Sequence, residues 1–181
     1  ELPADKNDDD TFFDISLSEN LSQVKGVYRR ELGGYAASDI RPIYFLSNEE
    51  DRKMLMSEYL KAYTFKDADI KNVKIENADI NTPEVNNLFK ISADVTVKSI
   101  IEKAGNKIIL KIGELIGPQT EMYNEKTRQT PMELTYPHAY HRTLTIAIPQ
   151  GYTVKGLDGL KFNHVYQNGT ESMGFTSSYT L

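Results

Sequence analysis

The chain has 181 residues, with 26 acidic against 21 basic side chains for a formal charge of −5, 39% hydrophobic residues and no cysteine. That length suits one medium domain or two small ones with a buried core. The acidic balance and the lack of a Lys/Arg cluster argue against a nucleic-acid partner, the missing cysteine excludes a thiol nucleophile, a thiolate metal site and any disulfide, and no run approaches the ~20 apolar residues of a membrane-spanning helix.

The first ten residues, ELPADKNDDD, read as an acidic linker, because they hold too little apolar surface to offset the entropy of ordering. Asp5, Asn7 and Asp9 alternate like the first ligands of an EF-hand loop, but Asp10 stands where that loop needs Gly and Ser16 where it needs Glu. From there the period is two. Phe13, Ile15 and Leu17 share one face of a strand, as do Val24, Tyr28 and Leu32 of the next, with Gly26 between them as the place for a bulge. GGYAASD reads as a loop and IRPIYFL as a strand whose Pro42 suits an edge. Ser47 with Glu50 forms a capping box, and Leu55, Tyr59 and Ala62 or Tyr63 recur at helical spacing, which predicts a helix over about 48–63.

Beyond Ala68 the pattern is β. DIKNVKIE is a short strand, and Phe89, Ile91, Ala93, Val95 and Val97 face one way in a long one. KAGNK turns the chain and KIILKI returns with Ile108, Leu110 and Ile112 inward, a hairpin. Residues 113–141 are irregular, and a loop of that length is functional or carries strands that periodicity misses. Leu144, Ile146 and Ile148 alternate in the next strand. A last hairpin turns at Asn168–Gly169, and its second arm aligns Met173, Phe175, Tyr179 and Leu181 up to the final residue. A strand in that place predicts that the natural chain continues, and its uncovered edge suits pairing with a second copy as a homodimer.

The fold class expected is therefore mainly β, an antiparallel β-sandwich with the single helix of 48–63 packed against it. Its parts are the 1–10 linker, an 11–67 segment of strands and helix that is either a small subdomain or part of the same fold, and a β-sandwich over 68–181. His138 and His141 would share a face on a helix, but Pro137 and the following strand give an extended path on which residues three apart point to opposite sides, so no metal site is expected. His164 falls on the strand face of Leu160, Phe162 and Tyr166. Tyr123, Tyr136 and Tyr140 crowd the irregular segment together with Arg128 and His138. These five are either a platform for a peptide or glycan ligand or a plug for the end of the sandwich.

Arg128, Pro131, Tyr136 and Pro137, followed by a strand and then by the Pro-x-Gly-Tyr turn of Pro149, Gly151 and Tyr152, carry a resemblance. The run from Gly113 to Leu157 resembles the β-rich domain of unknown function that lies downstream of the transglutaminase-like domain in large bacterial envelope proteins. The resemblance extends over about 68–181 and more weakly over 11–67. It implies a non-catalytic accessory domain in the periplasm or at the cell surface, supporting or presenting substrate to a catalytic domain outside this chain and partnered by adjacent domains of the parent chain. Such catalytic domains use a Cys-His-Asp arrangement. Without cysteine, no catalytic residue is carried over and no cofactor is expected. The alternative is an independent glycan- or peptide-binding adhesion module that uses the 113–141 region.

Overall fold

The structure is a computed structural model that describes residues 7–63, 67–81, 87–117, 126, 129, 138–169 and 171–181. The chain divides into two compact units, 1–147 and 148–181. In the first, β1 (Asn7–Leu17) and β2 (Val24–Leu32) form an antiparallel pair and lead into two helices, α1 (Gly34–Leu46) and α2 (Glu49–Tyr63). Next come β3 (Asp69–Glu76) and β4 (Phe89–Val97), a short ribbon of β5 (Ile101–Ala104) and β6 (Lys107–Leu110), a 3-10 turn at Ile112–Ile116 and β7 (His138–Ala147). The main sheet has the order β3-β4-β2-β1-β7, antiparallel except for the parallel pair of β1 and β7. The second unit holds the ribbon of β8 (Phe162–Asn168) and β9 (Glu171–Ser177).

Strict alternation decides which face of the sheet is covered. Phe13, Ile15, Val24, Tyr28, Leu32, Phe89, Ile91, Ala93, Val95 and Val97 are buried in one cluster with Ala37 and Ile40 of α1 and Met56 and Leu60 of α2. The opposite face carries exposed Asp14, Lys25, Arg29, Asp94 and Thr145, which suit water rather than a second apolar layer. The protein is thus mainly β, with two helices instead of one and a mixed rather than purely antiparallel sheet.

Several expectations change for physical reasons. IRPIYFL lies in α1, not in a strand: Ala37, Ile40 and Arg41 are buried on one helical stripe, and a run this short has no readable period of its own. The second helix matches its predicted span, but its cap is one residue later, since Asn48 Oδ1 accepts the Asp51 amide (3.0 Å) while the Ser47 hydroxyl donates to the Ile43 carbonyl (2.6 Å). Gly26 makes no bulge. The β1–β2 register runs unbroken through the Ile15–Gly26 pair, and a Cβ at Gly26 would lie 2.0 Å from the Asp14 carbonyl oxygen.

The long strand ends at Val97, where the Asp67 carboxylate takes the amides of Lys98 and Ser99. The predicted hairpin therefore forms between β5 and β6 around Gly105 (φ 63°), apart from β4, and Ile112 falls in the 3-10 turn. Residues 7–10 belong to β1 rather than to a linker, and the strands of 11–67 share one sheet with β4 and β7. Ile148 lies beyond β7 and is exposed, and Tyr179 and Leu181 lie beyond the end of β9. Among the described residues no helix is long and apolar enough to cross a membrane.

Candidate functional site

The register of three neighbouring strands builds a buried cluster of charge. Thr11 on β1 pairs with Arg30 on β2 and with Arg142 on β7, and Asp9, two residues earlier on the same face, pairs with Leu32 and Tyr140. All of these side chains project to the helix-covered side. Asp9 receives Arg30 through two hydrogen bonds, Nε to Oδ1 at 2.8 Å and Nη2 to Oδ2 at 2.5 Å. That planar fork is the geometry in which guanidinium and carboxylate bind most strongly. Arg142 approaches from the other side, with Nη1 on the Asp9 backbone carbonyl at 2.5 Å and on Oδ1 at 3.3 Å, and Nε on the Ile116 carbonyl at 3.2 Å.

Burial makes the cluster unusual. Arg30 and Asp9 have side chains only 5% and 7% exposed, and Arg142 is 18% exposed. The Arg30 guanidinium lies 3.7 Å from the ring centre of Tyr63 and 5.1 Å from that of Tyr59, one helical turn apart on α2, so aromatic faces supply part of the stabilisation that water would give. Burial pushes the Tyr28 and Tyr59 hydroxyls well above their ordinary value despite the opposing attraction of Arg30, and both stay neutral. A cavity of about 10 Å³ adjoins the cluster, lined by Thr11, Tyr28, Tyr63, Leu115, Ile116, Gly117 and Arg142.

The cluster continues outward along β7. The Arg142 guanidinium lies 5.3 Å from the Tyr140 ring, and Tyr140 stacks on His138 at 5.8 Å and 15°. Both rings are exposed. Of the five predicted ligand-binding residues the structure thus brings His138 and Tyr140 together, while Tyr123, Arg128 and Tyr136 lie outside the described residues. His141 occupies a strand position three residues from His138 and therefore the opposite face. His164 stands on β8 beside Phe162, at 6.2 Å between ring centres. Among the described residues no group of three or more His, Cys, Asp or Glu side chains could hold a metal ion.

A second, open groove lies on the polar face where β3 changes register against β4 between Lys71 and Lys74. It spans about 520 Å³ among Val27, Asn72, Val73, Lys74, Ser92, Ala93 and Asp94. Asn72 adopts φ 52° there and donates its side-chain amide to Asp94 at 2.6 Å.

The sequence reading missed Asp9, Arg30 and Arg142. Asp9 is hidden among neighbouring acids, Arg30 follows Arg29 in a polar run, and Arg142 follows His141. A signal was nevertheless present, since Arg30 continues the inward Tyr28–Leu32 series and Arg142 the inward Leu144–Ile146 series. Chemically, the cluster can fix position and charge, but it holds no nucleophile next to a base. Compared with protein-family models, with curated proteins and with solved structures, the chain matches none of them.

Proposed function

We propose that the chain is a non-catalytic accessory module of a bacterial envelope protein, acting in the periplasm or at the cell surface next to a transglutaminase-like domain of the same polypeptide. The observation that carries its non-catalytic character is the commitment of Asp9, Arg30 and Arg142 to one another beside a cavity no larger than a water molecule. The complete lack of cysteine points the same way for thiol chemistry. The envelope setting rests on Arg128, Pro131, Tyr136, Pro137 and the turn of Pro149, Gly151 and Tyr152, in which the Tyr152 amide donates to the Pro149 carbonyl at 3.1 Å and Gly151 takes φ 83°. A β-sandwich over 68–181 belongs to the same proposal.

The test is the natural polypeptide itself. A Cys-His-Asp domain encoded upstream, whose transamidase or amidase activity falls when this module is deleted, is the expected result. An unrelated upstream domain, or amide turnover by the module alone that one point change abolishes, would overturn it.

The second reading, a module that binds glycan or peptide on its own, is favoured by the exposed Tyr140–His138 stack, since an uncovered pair of rings suits a sugar face or an apolar side chain. Titration with cell-wall oligosaccharides and with peptides, for the native chain and for Tyr140→Ala, separates the two. Binding lost in the variant supports the second reading.

A further inference from the structure

The two edges of the main sheet are built differently. β3, at one edge, carries Asp69, Lys71, Lys74 and Glu76, breaks its register against β4 between Lys71 and Lys74, and holds Asn72 in a left-handed conformation (φ 52°). Charges and irregular register are the means by which an edge strand is kept from pairing with another chain. β7, at the other edge, has neither. Its pairing with β1 runs unbroken from His138 to Ala147, it contains no Pro, Gly, Lys, Asp or Glu, and its one formal charge, Arg142, is turned inward on Asp9. Among the described residues β1 is its only strand neighbour. The core is also open on this side. Leu144 and Ile146 project with Phe13 and Ile15, their partners on β1, yet they are only partly buried where Phe13 and Ile15 are 1% and 4% exposed.

We propose that β7 is a self-association edge: two copies of the chain pair β7 against β7, antiparallel about a two-fold axis at Leu144, and join their five-stranded sheets into one continuous sheet. The strand is complementary to itself in that arrangement. On the covered side Leu144 meets Leu144 of the second copy and Arg142 meets Ile146, which carries across the joint an apolar row that stops half-covered in one chain. On the open side Thr143 meets Thr145, a favourable cross-strand pair, and His141 meets Ala147. No like charges are opposed in this register, although each chain carries a formal charge of −5. A two-fold contact requires such a self-match, because whatever one copy presents the other presents as well. The second copy expected from the sequence beside the last strand is thereby moved to the edge of the main sheet.

The test is sedimentation velocity of the full chain over a concentration series, beside the double variants Thr143→Lys with Thr145→Lys and Thr143→Glu with Thr145→Glu. Both threonines are exposed, so a charge at either position is solvated in a single copy. The expected result is a reversible dimer of the native chain. Self-association should weaken about tenfold or more in each double variant, where like charges face each other across the axis, and recover when the Lys and Glu variants are mixed. A native chain that stays monomeric up to millimolar concentration would overturn the proposal. A dimer that both variants keep would overturn it too, and would put the contact elsewhere, such as the exposed ribbon of β8 and β9. If the double variants do not fold, a spin label decides, since the chain has no cysteine and Thr143→Cys gives a single attachment point. Diagonal neighbours across an antiparallel pair should hold the two labels within about 20 Å of each other, and the absence of any such short distance refutes the pairing.

Discussion

Asp9 carries more of the architecture than any other polar side chain described, since it joins the second strand to the parallel edge strand through two arginines. Asp9→Ala should destabilise by about 3–5 kcal/mol in urea unfolding, because it leaves buried positive charge without a partner. Simultaneous replacement of Asp9 by Leu and of Arg30 and Arg142 by Met should cost far less than the single change, which a comparison of unfolding midpoints checks. A pH effect follows at Asp67. Burial there raises the carboxyl, but hydrogen bonds from the Ser99 hydroxyl and from the Ser99 and Lys98 amides outweigh it and hold the group below its ordinary value of 3.8. A folded-state value below the unfolded one gives stability that is present above the unfolded value and is lost as pH falls through the folded one. Asp67→Asn should therefore flatten the acid limb of the stability curve below about pH 4. Neither residue announces itself in the sequence, because an acid near other acids looks solvated until the fold brings its partners against it, two arginines for Asp9 and the Lys98 and Ser99 amides for Asp67.

Local backbone chemistry decides the elements, and two substitutions of opposite sign probe it. Gly26→Ala should cost about 3 kcal/mol or more, since the new Cβ collides with backbone atoms of Asp14 and Ile15 that cannot move without breaking the β1–β2 ladder. Pro42→Ala should raise stability by about 1 kcal/mol, because it restores a donor inside α1 at the expense of a less restricted unfolded chain. Chemical denaturation measures both, and a stabilising Gly26→Ala would mean that the pair is wrongly registered. The alternation of Phe13 with Ile15, and of Phe89 through Val97, was legible because each strand has one wet and one dry face. The first helix was not, since GGYAASD lacks an apolar pattern and Pro42 signals an interruption that the packing of Ile40 and Ala37 overrides. The parallel entry of β7 beside β1 joins residues more than 130 positions apart, and local periodicity carries no information about such pairing.

At the scale of the whole molecule the apolar core is unevenly shared. The most completely buried large side chains, among them Tyr28, Phe13, Phe89, Leu32 and Leu60, all belong to the first unit, whereas Phe162, Tyr166, Met173 and Phe175 of the second are exposed on a two-stranded ribbon. An isolated ribbon is marginal in water, while a five-stranded sheet covered by helices sustains a cooperative core. Cutting the chain after Ala147 should thus leave a protein that unfolds in one transition at nearly the native midpoint, and the 148–181 peptide should show little strand signal in circular dichroism. The same asymmetry fixes the ranking of core changes: Phe89→Ala should cost about 3–5 kcal/mol, and Ile148→Ala, at an exposed position outside the sheet, little. If the truncated chain instead loses cooperative unfolding, the ribbon must supply burial that the first unit lacks. Ile148, placed in the core by its alternation with Leu144 and Ile146, would then be the residue to reconsider, and a large effect of Ile148→Ala in the full chain would identify it.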